Sequence, residues 1–428
     1  MHFRRMAIGI LFFAWTTHCV AQNWPQFRGP TGMGMTDEKQ LPIKWGGKEN
    51  ENVLWSAQMP GEGHASPIVW GERVFTCTVK WSDDPDERKA IPEHHVTCFR
   101  TGDGKQLWDA KIKPGLWVRN DFRSGPGGGY AAPTPCTDGK HVYVAFGSAV
   151  IAALDFDGQL AWRKELLPYT FDVTLGSSPV LFEDTVILLC AMAKKSDSRI
   201  VAFNRSDGSV KWETMLPTTG FGHSTPMMID VKGKRQMLIL ASAMGVAPEG
   251  LQSFDPSSGK RIWWCRGGGD ASSPAYGDGI VYFDSGRGGP GFAVDPTGTG
   301  DLSATHIKWS IAKTNEAIAS PLIAGGYVYR LQSPGVLKCW KVATGEEVYS
   351  KKLEGLTTTW ASPFADAEGH LFFANAGKSI VVKMGPAFEV LAVNDLGDAN
   401  HASAAVANGR IYLLGRKKLY CIGAAIKP

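Results

Sequence analysis

The sequence predicts an all-β protein, a single eight-bladed β-propeller built of four-stranded antiparallel blades. Three observations carry that reading. A Ser-Pro pair or a near equivalent recurs at Ser66-Pro67, Ala132-Pro133, Ser178-Pro179, Thr225-Pro226, Ser273-Pro274, Ser320-Pro321, Ser362-Pro363 and Ser403-Ala404. Each copy repeats one internal grammar of short apolar strands and tight turns. A tryptophan then returns near the end of most copies. Four short strands per period of about 40 to 50 residues is the propeller pattern.

Within a copy, the Ser-Pro leads into a short apolar strand and a Gly or Asp turn, as in Leu322-Ile323-Ala324-Gly325-Gly326. A second strand follows (Tyr327 to Leu331), then a loop and a third strand. The third strand closes on an Asp or Asn with a Gly behind it: Asp155 and Gly158, Asn204 and Gly208, Asp255 and Gly259, Asp295 and Gly298. An Asp or Asn there can accept from the next backbone N–H groups, and the Gly supplies a positive φ. The fourth strand carries Trp108, Trp162, Trp212, Trp263 or Trp309, with Tyr349 in the sixth copy. The last copy supplies only three strands. Its fourth is expected from Asn52-Val53-Leu54-Trp55 at the other end of the chain, which would leave no open edge.

The domains follow from this count. Residues 1–21 read as a secretory signal, with basic Arg4 and Arg5, an apolar run from Met6 to Trp15, and Ala21 before the cleavage point. Thr16 and His18 do not fit a lipidation motif around Cys19. Residues 22–50 read as an arm laid over the body, and 51–428 as the propeller. No apolar run is long enough to span a bilayer, so the protein is expected in the periplasm or outside the cell. The chain has 45 basic and 41 acidic residues and no basic run, which gives no footprint for nucleic acid. A monomer is expected.

Seven cysteines follow the leader, none in a C-x-x-C pair, so zinc and redox motifs lack support. Cys98, Cys339 and Cys421 share one repeat position, where other copies carry Ala or Ser, and read as small buried residues. Cys77 and Cys98 fall on neighbouring strands, where a disulfide is the exception to consider. The Gly runs near Gly125, Gly267 and Gly286 precede no helix, so they read as sharp turns and not as phosphate loops. The acidic run from Asp83 to Glu87 lacks the ligand spacing of a calcium loop.

In a propeller, the loop entering each first strand and the loop between strands two and three open on one face. The residues three before the Pro position gather there: His64, Tyr130, Gly176, His223, Ala271, Ile318, Trp360 and His401. Asp270 and Asn400 come one residue earlier in their copies. Arg287, Glu249, Asn375, Lys378 and Arg416 add polar groups from other loops of that face. The longest insertions, Lys80 to Glu93 and Lys113 to Gly129, open on it as well. The candidate ligand-binding set is therefore His64, Tyr130, His223, Asp270, Trp360, Asn400 and His401. Aromatic, His and carboxylate groups around a concavity suit a ligand; a mouth that merely holds water is the plain alternative. No nucleophile, base and acid stand together, and the repeated serines favour structure over catalysis. His223 lies several blades from His64 and His401, so no metal site is expected.

Asp255, Gly259, Lys260 and Trp263 together resemble the tryptophan-docking motif of quinoprotein-type propellers. The opening Asn23-Trp24-Pro25-Gln26-Phe27-Arg28-Gly29-Pro30 resembles that of secreted PQQ-like repeat proteins, abundant in planctomycete-type bacteria. The fold is also similar to that of the outer-membrane assembly lipoprotein, a propeller without catalysis. This resemblance implies an exported binding or scaffold protein that engages a protein or a saccharide. In quinoprotein dehydrogenases PQQ sits between a Trp and a disulfide of consecutive cysteines, beside calcium. No Cys-Cys pair exists here and the chain is shorter, so no cofactor is expected. The alternative is a PQQ and calcium oxidoreductase, with Trp360 stacking and Asp270 as base.

Overall fold

The computed structural model describes residues 23–84, 91–115, 129–167, 175–192, 194–220, 222–242, 246–356 and 360–424. The leader expected over 1–21 and most of both long insertions lie outside the described residues. The described chain forms eight sheets, seven of four strands and one of five. Blade one is typical: Ile68–Trp70, Arg73–Lys80, Glu93–Arg100 and Gln106–Ile112 pair antiparallel in chain order. Val53–Gln58 pairs antiparallel with Lys418–Gly423 and stands at the outer edge of the eighth sheet. The fifth strand of blade four is Gly300–Asp301, which reaches over from blade five and pairs in parallel with Trp263 and Trp264.

What the Ser-Pro repeat does is now evident. The backbone N–H of Ser66 donates to Thr134 Oγ1 at 3.0 Å, and Thr134 donates in turn to Ser178 Oγ at 2.9 Å. The same step runs through Thr225, Ser273, Ser320, Ser362 and Ser403, each between 2.9 and 3.1 Å. Ser403 then donates to Ser66 Oγ at 3.0 Å. Eight blades are thus tied by eight hydroxyls into a closed circle. Each inner strand would otherwise present a buried edge N–H with no partner, a loss of about 1–3 kcal/mol apiece.

The circle corrects one register. Blade two contributes Thr134-Pro135, not Ala132-Pro133, because the hydroxyl defines the position and the proline only follows it. Ala132 is then the counterpart of His64, and Tyr130 stands two residues outside the set.

Adjacent sheets pack face to face through seven apolar clusters, such as that of Ile68, Phe75, Val96, Val142, Val144 and Leu154 between blades one and two. The tryptophans join blades at the rim. A methyl group placed on Gly104, Gly158, Gly208, Gly259 or Gly345 would lie 2.5–2.8 Å from the indole of Trp55, Trp108, Trp162, Trp212 or Trp309 of the preceding blade. Four of these indoles also donate Nε1–H to a carbonyl there, at Thr101, Phe156, Arg205 and Val342. Gly158, Gly208 and Gly259 have φ between +68 and +82°, but Gly298 does not; Gly300 takes the positive φ in blade five. The longer turn of that blade leaves Trp263 to donate to Gln236 instead.

The arm crosses the face that carries the turns between strands one and two. Asn23 accepts from Gly71 of blade one, Pro25 from Thr137 of blade two, and Gly34 pairs with Ala365 of blade seven. Arg28 turns inward between them and is 2% exposed. Its guanidinium donates to the carbonyls of Pro274, Pro321 and Met33 at 3.2, 2.6 and 3.0 Å. Trp24 and Trp45 bury their rings against blades one, seven and eight. The arm therefore covers that end of the channel and leaves the opposite mouth as the face for a ligand.

Candidate functional site

Two groups of side chains stand at the mouth. The first joins blades seven, eight and one. Trp360 stacks on His401 with ring centroids 4.5 Å apart and planes at 23°, and His401 meets His64 at 5.4 Å. Asn400 holds this set. Its Oδ1 accepts from the His401 backbone N–H and from His64 Nδ1, both at 2.6 Å. Its Nδ2 donates to Gly63 and Gly415 carbonyls at 2.9 and 3.0 Å. Every polar atom of the carboxamide is used, so Asn400 positions the rings and has nothing left for a ligand. Trp360 remains 46% exposed, and it is the one aromatic among the exposed large hydrophobic side chains of the described residues. The His401 imidazole is held down at about 4, first by loss of hydration among its neighbours and then by His64.

The second group belongs to blades four and five. His223 donates its backbone N–H to the Asp270 carbonyl at 2.5 Å, and its ring covers Gly176. The Asp270 carboxylate is 1% exposed and meets Arg287 Nε at 3.1 Å. Burial raises its pKa against the opposing pull of Arg287. Arg287 also reaches Glu316 at 3.5 Å. This carboxylate is locked in an ion pair.

Of the seven candidates, the fold brings His64, Trp360, Asn400 and His401 together, and it sets His223 and Asp270 apart from them. Tyr130 is not at the mouth. It is 1% exposed in a short 3-10 turn, packed beside Trp81 and His94. All seven cysteines after the leader are free and buried. Cys77 lies opposite Val96 and Cys98 opposite Phe75, so the two thiols are diagonal neighbours. Burial raises the pKa of both.

Two features at the mouth and the floor escaped the sequence reading. Arg330 and Asp284 are both fully buried and paired through two hydrogen bonds of 2.6 and 2.9 Å. Arg330 also donates to the carbonyls of Ala317 and Ala319, which fixes the entry to blade six. An arginine inside the apolar strand Tyr327–Gln332 is the signal that marked it. Arg28 at the floor lay within the opening motif, but no periodicity says where an arm docks.

Among the described residues, Asp366, Glu368 and His370 are the one group of metal-ligand type whose donor atoms lie within 4.8 Å of one another. Asp366 Oδ1 accepts from the backbone N–H groups of Glu368 and His370. Asp138 does the same for Lys140 and His141 in blade two, so this is a turn cap of the repeat.

A closed ring of eight four-stranded blades, with an aromatic ledge at its one uncovered mouth, defines a PQQ-like-repeat propeller. The model of the family described as outer membrane protein assembly factor BamB matches residues 92–264 and 234–365, and the chain belongs to that family. It is 29% identical over 183 residues to the assembly factor BamB of Yersinia pestis, covering 40% of this chain and 39% of that one. It is 24% identical over 306 residues to a tetrathionate hydrolase of Acidithiobacillus ferrooxidans, covering 67% and 52%. The chain thus spans roughly four-tenths to half the length of these curated relatives. The quinohemoprotein alcohol dehydrogenase of Comamonas testosteroni shares the fold, with a TM-score of 0.65 at 13% identity over 95% of this chain and 82% of that one.

Proposed function

We propose that this protein is an exported, non-catalytic propeller that docks another protein on its mouth face. Membership of a family described by an assembly factor supports a scaffold role. The observation that carries the reading is the stacked Trp360–His401 pair. An aromatic half exposed to solvent, yet fixed by Asn400 through four hydrogen bonds, has little conformational freedom left to lose on binding. Such rigid aromatics are the anchors that dominate protein interfaces.

The dehydrogenase alternative finds less support. Calcium needs carboxylate and amide oxygens that converge. Here Asp270 is held by Arg287 and Asn400 by its four partners, on different sides of the mouth. The buried cysteines offer no disulfide ledge for a quinone. These residues do not fit PQQ with calcium, and no step is routed through it.

The test is affinity capture from cell-envelope extract with the wild type, Trp360→Ala and Asn400→Ala, beside thermal titration with PQQ and calcium. A partner retained by the wild type and lost by both variants supports the reading. Equal capture by all three, or a saturable thermal rise with PQQ and calcium, overturns it.

A further inference from the structure

We infer that the segment docking on this ledge is an acidic polypeptide; the inference rests on the protein-docking reading above. The argument is the charge that surrounds Trp360. Three elements flank it: the loop from Lys352 to Trp360, the turn ending at Lys378 in blade seven, and the turn Arg416 to Lys418 in blade eight. Lys352, Lys378, Lys417 and Lys418 have no carboxylate partner among the described residues. Lys352 Nζ donates to the carbonyls of Pro334 and Leu356, and Lys378 lies along Gly355.

The acids of the same loops are already engaged. Asp398 accepts from the backbone N–H groups of Lys417 and Lys418 and from the Tyr420 hydroxyl, at 3.2, 3.0 and 3.2 Å. Glu62 pairs with Arg416 at 3.2 Å. Only Glu354 stands without a cationic partner there. The ledge is neutral in itself, because His401 takes up a proton only near pH 4. An aromatic anchor ringed by uncommitted lysines on three loops complements an extended chain bearing carboxylates beside an apolar side chain. Exposed lysines of this kind set partner choice and association rate more than depth of affinity.

The probe is a fluorescent random copolymer of glutamate and tyrosine, with a lysine–tyrosine copolymer and oligogalacturonate as counter-probes. Binding is read by polarisation on the intact protein. The glutamate copolymer should bind, and raising salt from about 50 to about 300 mM should weaken it several-fold. Trp360→Ala should cost about tenfold, and the double reversal Lys378→Glu with Lys417→Glu about fivefold or more. These are surface positions, so unchanged melting is the control. Failure of the glutamate copolymer to bind overturns the inference. Tighter binding of the lysine copolymer through Trp360 overturns the acidic class but leaves the mouth as a docking site. Oligogalacturonate binding with the same dependence on both variants makes the occupant a glycan. Glutamate-copolymer binding that ignores Trp360→Ala removes the ledge, and with it the docking reading itself.

Discussion

Ser403 donates its backbone N–H to Ser66 Oγ at 3.0 Å, across 337 positions of sequence. That bond is the last of eight identical steps around the channel. Because each hydroxyl serves the neighbouring blade and not its own, the circle is satisfied only when every blade is present. Local repeats are thereby coupled into one closed object, which a linear array of the same sheets would not be.

Removing one hydroxyl tests this coupling. Ser66→Ala leaves the buried Ser403 N–H without an acceptor and should cost about 1–3 kcal/mol. Ser66→Thr should cost much less, since Thr134 and Thr225 already serve at two positions of the circle. Urea unfolding of both variants checks the difference, and equal stability would remove the hydroxyl from the account.

The rim contacts make a second prediction. Gly208 has φ +68°, and a methyl group there would lie 2.5 Å from Trp162. Gly208→Ala combines a strained backbone with overpacking, each worth about 1–3 kcal/mol. Gly233, at φ +77° with nothing within 4 Å, is the control. Gly233→Ala should show the backbone cost alone, so the difference between their melting shifts measures the indole contact.

These positions also show why the fold was legible and the site only partly so. Hydroxyl, turn glycine and Trp recur because every blade needs them, and recurrence is what a single sequence displays. The blade-two register misled for a physical reason: Pro133 and Pro135 both follow small residues, and only the hydroxyl of Thr134 tells which one counts. Tyr130 was misplaced by that slip. Trp360, His401 and His64 could be set on one face by counting from the proline. Asn400 binding both neighbours, and Arg287 capturing Asp270, depend on loops that occur once and leave no pattern to read.

At the floor of the channel, Arg28 makes a third test. It satisfies carbonyls of blades five and six from an arm that also touches blades one, two and seven. Arg28→Ala would leave the Pro274 and Pro321 carbonyls without this donor and open a cavity, for a loss of about 2–4 kcal/mol. Arg28→Lys should recover part of it, because an ammonium reaches fewer of the three acceptors. Thermal unfolding orders the three proteins, and an unchanged midpoint for Arg28→Ala would mean that the arm is not held by this residue.

A fourth prediction concerns acid. His94 is fully buried, stacked on Phe146 at 4.4 Å, with Nε2 bonded to Ser148 Oγ at 2.7 Å. Its Nδ1 has no partner, and burial lowers the pKa to about 3. The unfolded chain takes up a proton there near pH 6.5, whereas the folded one does not until about pH 3. Between those values the unfolded state binds more protons, so the stability His94 contributes is present above pH 6.5 and lost as pH falls toward 3. His401, lowered to about 4, acts in the same direction over a narrower window. His94→Gln should therefore lower stability at pH 7.5, through the lost stacking, yet flatten its fall between about pH 6.5 and pH 4. Urea midpoints across that range read both effects. A parallel fall in variant and wild type would assign acid sensitivity to other groups and leave His94 as packing alone.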